Sequence, residues 1–402
     1  MPKYEIELTE EEDDKLSEIM RFHKYDLKRF FLTAMEEFYV PPHPVDQNAY
    51  AHMLQFISII LEQTRQNTPN ILREKSLLTL HEHFSAMDKM DVVVVIANGP
   101  SLTDKQLKLI SHSRFQERGG VVFCVDSALN KVLRFGIIPD AVVCVDRQRE
   151  TAELINYPLI RELGTGLNWI VPMDIHPETR DYMRGERWWF KPWFPENPTR
   201  NLNFYLRFLY PQLPIVNLGG NVGSSAVFIA YSLLFKTIAM VGMDYSWSGK
   251  MKPHETENFL VDVIQHGGRI KYNRRNKFEG VIWPCDTEAC LDDRLFNGEC
   301  AARRKDDPDF KLCQEEFDSQ FKYVKDPWGD VRLINQTYSI YRDVMLDHAR
   351  QIKKRDPDVR FINCTGGGLL FDDEEDNIKL QDLKEFLETV WEEGKDEPQE
   401  GA

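Results

Sequence analysis

Three short apolar runs constrain this chain more than anything else in it. Val92–Ile96, Val121–Val125 and Ala141–Val145 are each followed at once, or nearly so, by a polar residue: Asn98, Asp126 and Asp146. Between them lie segments with helical spacing. One covers about 103–112, where Thr103 and Gln106 make a capping box. The next carries Leu129, Val132, Leu133 and Phe135 and stops at Gly136. Strand and helix alternating over short links require a parallel sheet. Such a sheet gathers its ligand at the carboxyl ends of its strands, where these three polar residues fall.

The first run leads into Ala97-Asn98-Gly99-Pro100-Ser101 and then a helix start. That turn points backbone N–H groups and the positive end of a helix dipole at whatever lies above it, and phosphate suits such a place. A second glycine-lined turn, Leu218 to Ser225, opens an apolar helix over 226–235. A strand at Thr237–Val241 follows and closes on Gly242-Met243-Asp244. A third, Cys364-Thr365-Gly366-Gly367-Gly368, ends a strand at Val359–Asn363. Asn98, Gly99, Ser101, Asp126, Gly219, Gly220, Asn221, Gly223, Ser224, Gly366 and Gly367 are therefore the expected nucleotide contacts. Turn chemistry explains several of them equally well: Ser101 as a helix cap, Asn98 as a loop residue. Asp140, after Pro139, reads as a turn residue.

The remainder divides as follows. Residues 1–90 are a helical region, with alternation at Tyr4, Ile6 and Leu8, a charged helix to Phe38, and a second helical stretch from about Ala49 to Met87 interrupted near Pro69. Residues 91–245 form the α/β core, 246–330 an insertion and 331–371 a return to the core. Residues 372–402 are an acidic tail with a helix over Ile378–Trp391. A strand is expected at Trp169–Pro172. The aromatic, Pro-rich stretch 176–215 reads as an irregular loop, and Arg187, Lys191, Arg200 and Arg207 as a local basic groove or a solvated face. Cys285, Cys290, Cys300 and Cys313 in the insertion offer a zinc set, although paired C-x₂-C knuckles are missing and free thiols serve as well.

A net charge of −15 argues against a broadly basic nucleic-acid surface. No apolar run reaches the length of a membrane span, and the acidic N-terminus carries no h-region. With seven cysteines read as reduced thiols, the expectation is a cytoplasmic protein, with the N-terminal helices as a route to homo-oligomers.

ANGPSL (97–102), VDSALNKVLRFGIIPDAVVCVD (125–146), GGNVGSSAVFIAYSLLFKTIAMVGMDYSW (219–247), the His254 segment GKMKPHETEN and INCTGGG (362–368) occur in the order found in a known family. The chain resembles the MptE-like 6-hydroxymethylpterin diphosphokinases, a family that includes the Maf flagellin glycosyltransferases and is distantly similar to bacterial lipooligosaccharide sialyltransferases. The resemblance implies a Rossmann-like fold and a transferase using a nucleotide-linked donor. Its glycosyltransferase branch implies a CMP- or UDP-linked sugar. His254 is then general base or helps the nucleotide phosphate leave, with Asp244 and Asp146 in the catalytic set and His266 a substitute for His254. Its diphosphokinase branch implies pyrophosphoryl transfer from ATP with Mg²⁺, and a more acidic third-strand end than Val145-Asp146-Arg147-Gln148-Arg149. A non-catalytic nucleotide-binding scaffold is the third reading. The acceptor is left open.

Overall fold

The computed structural model describes residues 47–87, 89, 91–193, 206–248, 269–272, 278–282, 321–372 and 377–391. The expected N-terminal strand and helix, His254, His266, Arg200 and the four insertion cysteines lie outside these residues. Among the described residues the recorded pairings of the main sheet strands are all parallel. The fold is thus α/β and Rossmann-like, as the alternation demands. The chain divides into two compact units, Met1–Ile96 with Ile110–Ile238, and Ala97–Leu109 with Ala239–Ala402.

The first unit orders its strands β1 (Lys75–Ser76), β6 (Glu186–Pro192), β5 (Asn168–Pro172), β4 (Ala141–Val143), β3 (Val121–Val125) and β2 (Val92–Ile96), with β7 (Ile215–Val216) against the end of β6. Every residue of β2, β3 and β4 is buried. Continuous apolar runs are what a sheet covered on both faces needs, because each face meets other elements rather than water. Helix Asp126–Arg134 covers part of it, burying Ala128, Leu129, Val132 and Leu133. Its chain turns at Gly136, whose φ of 73° needs no Cβ. Asp140 holds the return: its Oδ2 accepts from Val122 N at 2.8 Å, and Oδ1 pairs with Lys89 at 3.0 Å. It is a turn residue, as expected.

Two expectations for this unit need correction. Residues 186–192 are not an irregular loop but strand β6, with Trp188, Trp189 and Phe190 fully buried. Each indole N–H there has an acceptor: Trp188 donates to Asn168 and Trp189 to Glu74. Buried tryptophan is tolerated on those terms. Of the described basic residues nearby, Arg207 is exposed, as on a solvated face, while Arg187 and Lys191 are engaged by partners within the unit. Arg187 pairs with Glu74. Lys191 is buried and donates to Tyr210 O at 2.7 Å, and burial pulls its amine down to about 8.

Pro69 does not break the preceding helix, which runs Gln47–Arg73 through it. Proline removes one ladder bond. Tertiary bonds hold the turn regardless, with Asn67 Nδ2 donating to Met173 O and Ile175 O at 3.0 and 2.8 Å.

The second unit orders β8 (Thr237–Val241), β14 (Arg360–Asn363) and β15 (Ile378–Leu380). A separate antiparallel sheet joins β9 (Trp247–Ser248), β13 (Val331–Asn335) and β12 (Phe321–Lys325), and β10 (Arg269–Tyr272) pairs with β11 (Phe278–Ile282). Val331 therefore starts a hairpin strand rather than a return to the parallel sheet. The C-terminal element is also shorter than expected. Ile378–Leu380 is a strand, and the helix is Leu383–Thr389, capped by the Asp382 carboxylate.

Candidate functional site

In the first unit the carboxyl ends of β3, β4 and β5 each deliver an acid. The strands pair directly, Val125 beside Val143 and Val143 beside Ile170. Asp126, Asp146 and Asp174 thus follow three neighbouring parallel strands. Their surroundings differ. Asp126 is buried, and its Oδ1 accepts from Ser127 N at 2.6 Å. Asp174 is also buried, with Oδ2 3.6 Å from Arg147 Nε. Burial raises its carboxyl and the nearby Arg147 guanidinium opposes the rise. Asp146 is exposed as a residue, yet it sits low enough among neighbouring atoms that desolvation holds its carboxyl above the usual range. Arg147 and two backbone amides pull the other way without cancelling that rise. Gln63 Nε2 donates to Arg147 O at 3.1 Å and fixes the backbone between the two acids.

The same unit contains the second glycine turn. Asn221 caps helix Val222–Ser232, its Oδ1 accepting from Ser224 N at 2.9 Å. Ser225 bonds back to Leu218 O and Asn221 O. Gly219 and Gly220 make the turn, Gly219 packed against Phe228 and Gly220 exposed. A helix's first amides have no intrahelical acceptor. With the Ser224 N–H taken by Asn221, Val222 and Gly223 are the first-turn amides left without an intrahelical acceptor. The helix packs on β2, β3 and β4 and leads into β8, so its N-terminus lies toward the carboxyl edge of those strands.

In the second unit, the loop after β2 is engaged with its own neighbours. Gly99 N donates to Gly242 O at 2.8 Å and Leu102 N to Gly99 O at 3.0 Å. Ser101 gives both its donors to Asp244: Oγ to Oδ1 at 2.5 Å and N to Oδ2 at 3.2 Å. The helix cap falls to Thr103 instead, whose capping box with Gln106 forms as the sequence indicates. Asn98 is exposed. Gly99 is glycine because a Cβ would stand 2.1 Å from Asp244 Oδ2. Gly368, at φ +86, lies where a Cβ would meet the Asp244 backbone at 2.5 Å. Gly366 is exposed and Gly367 buried against Arg332 and Ser101. In this arrangement the first and third glycine turns close around Asp244, the first on its carboxylate and the third on its backbone.

That carboxylate belongs to a buried network. Asp244, Asp326 and Arg332 are 2%, 5% and 6% exposed. Arg332 donates from Nε to Asp326 Oδ2 at 2.7 Å and from Nη1 to Ser101 Oγ at 3.3 Å, and Nη1 lies 3.7 Å from Asp244 Oδ1. Asp326 also accepts from the amides of Trp328, Asp330 and Gly368. Sequence reasoning missed Asp326 and Arg332. Their one signal was the Asp326-Pro327-Trp328-Gly329-Asp330 turn. It missed Asp174 too, although that residue repeats the strand-then-acid pattern of Asp126 and Asp146.

Burial pushes the Asp244 carboxyl up to about 6 against its Ser101 hydrogen bonds and Arg332. An unfolded aspartate titrates near ~3.9. The folded protein therefore binds this proton more tightly. Its contribution to stability is full below about pH 4 and is lost as pH rises through about 6, by on the order of 3 kcal/mol. Urea unfolding of the wild type and Asp244→Asn across pH 4–7 checks this. The wild-type advantage should shrink over that window and then level off, and a difference that grows with pH contradicts it.

Among the described residues no three His, Cys, Asp or Glu side chains are grouped as metal ligands. No described helix is long and apolar enough to cross a membrane.

A parallel sheet with acids at successive strand ends and a glycine-lined helix start on the same edge defines the class of Rossmann-like α/β proteins that bind at the carboxyl edge. The family model described as 6-hydroxymethylpterin diphosphokinase MptE-like matches residues 62–250, just under half of the chain. No curated protein matches the chain. Among solved structures it is similar to the MAf glycosyltransferase from Magnetospirillum magneticum AMB-1, at 15% identity and a TM-score of 0.44, over 74% of this chain and 34% of that one. The chain thus spans about a third of that protein's length.

Proposed function

We propose that the protein is a transferase that takes a nucleotide-activated donor, a CMP- or UDP-linked sugar, at the carboxyl edge of β3, β4 and β5. The observation that carries this reading is the exposed Asp146 with its raised carboxyl, placed beside Arg147 on the strand end next to buried Asp126 and Asp174. Asp146 is the general base in this reading. It takes the proton of an acceptor hydroxyl as that oxygen bonds to the anomeric carbon and the sugar–phosphate bond breaks. Charge gathering on the departing phosphate is met by Arg147 and by the amides of Val222 and Gly223. Asp174 positions Arg147, and Asp126 and Asn221 shape the edge. Asp244, buried and bonded to Ser101, holds the second unit's loop instead of touching substrate. The family's description supports a second reading, pyrophosphoryl transfer from ATP, which would need Mg²⁺ recruited with the substrate.

Thermal shift separates the two. A nucleotide sugar at about a hundredfold over its Kd should stabilise the fold by about 2.7 kcal/mol. Stabilisation by ATP with Mg²⁺ and by no nucleotide sugar overturns the first reading in favour of the second. No shift with either class overturns both.

A further inference from the structure

The second unit holds a cleft that the proposed reaction does not use. Its volume is about 360 Å³, within the range of small-molecule sites, roughly 300–1,000 Å³. It opens where β14 and β15 end, with Gly366 following one strand and Gln381 the other. The hairpin turn between β12 and β13 sets Trp328 over one side, 45% exposed. An indole left that open keeps a large apolar face in water, which a flat partner would cover. It is not a loose side chain's perch, because Trp328 N donates to Asp326 Oδ1, the acid that also holds Arg332.

The rest of the lining is equally fixed. Gln106 accepts from Thr103 N through Oε1 and donates from Nε2 to Thr365 O at 2.8 Å, so its amide plane is pinned. Leu109 and Leu380 supply apolar lining, and Lys105 stands exposed on the helix beside it. The lining's one acid, Asp382, already accepts from Lys384 N and Glu385 N with Oδ1. Gln381 Nε2 donates to Glu385 at 3.2 Å, which turns its amide oxygen to other donors.

A pre-set indole, apolar lining, an amide oxygen and one cation together suit a flat heteroaromatic ring with an anionic tail. We propose that this cleft binds a nucleoside monophosphate, its base stacked on Trp328 and its phosphate at Lys105. Base stacking on an aromatic side chain contributes about 1–3 kcal/mol and tolerates any base. Several bases should therefore bind with similar affinity. This site lies wholly within the second unit and does not depend on the donor reading for the first.

The test is titration of the full chain with AMP and CMP, followed by tryptophan fluorescence and by calorimetry. Adenosine serves as the ring without a charge, and inorganic phosphate as the charge without a ring. Both monophosphates should quench fluorescence, adenosine should bind several-fold more weakly, and phosphate should leave the signal unchanged. Trp328→Ala should weaken AMP at least tenfold and remove the quench. Lys105→Gln should bring AMP down to the affinity of adenosine with the fold's melting temperature unchanged. Trp328→Phe should keep binding while losing most of the quench, which separates loss of stacking from loss of folding. AMP and CMP binding that ignores Trp328→Ala, or no binding of either, overturns the proposal. Neither outcome bears on whether a nucleotide sugar binds the first unit.

Discussion

Replacing Arg332 with methionine is expected to cost the second unit about 3–5 kcal/mol of stability, the usual loss when one partner of a buried ion pair is removed. The guanidinium serves Asp326 and Ser101 by hydrogen bonds and lies within ion-pair distance of Asp244. Without it two buried carboxylates lose their positive partner. Asp326 keeps three amide donors, from Trp328, Asp330 and Gly368. Asp244 keeps the two bonds from Ser101 and should take up a proton even more readily. Lysine should recover a fraction of the loss, because a single ammonium cannot reproduce the fork that reaches Asp326 and Ser101 together. Urea unfolding gives the total, and hydrogen exchange at the Gly368 amide gives the local part. A loss under about 1 kcal/mol would show that the network is balanced by its own desolvation cost.

The second large effect is on turnover. Asp146→Asn should lower kcat at least ~100-fold, the scale of a general base's contribution, with little change in donor KM, since the amide keeps the shape and loses the proton acceptor. The pH profile carries the sharper signature. A base must be ionised, so wild-type activity should rise with pH through an acid limb placed above the ordinary aspartate value, as the raised carboxyl requires. That limb should vanish in the variant. The measurement is steady-state turnover of whichever nucleotide sugar stabilises the fold. Equal kcat in the variant, or an unmoved acid limb, would remove Asp146 from the chemistry.

Much of the sheet was legible because burial on both faces leaves an unmistakable local mark. Val92–Ile96 and Val121–Val125 occupy the strands their apolar runs announce, and Gly136 ends its helix where a left-handed residue is needed. Strand β6 was not legible. Its Trp-Trp-Phe run sits among Arg, Lys and Pro, and those polar neighbours are neutralised by partners far away in sequence, Glu74 for Arg187 and Tyr210 O for Lys191. Three-residue β15 is too short for alternation to show. The site divides in the same way. Acids at strand ends can be read one strand at a time, which placed Asp126 and Asp146. What each loop residue does with its donors cannot be read so. Ser101 meets Asp244 across 143 positions and Arg332 across 231, and no periodicity carries that information. The glycines at 99 and 368 illustrate the ambiguity. The same absence of a Cβ admits a phosphate or, as here, the chain itself: the Asp244 carboxylate at Gly99 and the Asp244 backbone at Gly368.

The most direct test of the account is to follow which bond breaks. The protein is incubated with CMP- and UDP-linked sugars, and separately with ATP and Mg²⁺, and the phosphorus NMR spectrum is recorded over time in the presence of a panel of acceptor alcohols. The account predicts that a nucleotide sugar loses its sugar–phosphate bond, releasing free CMP or UDP in an Asp146-dependent manner, while ATP is left intact. Release of AMP from ATP with every nucleotide sugar untouched would contradict it.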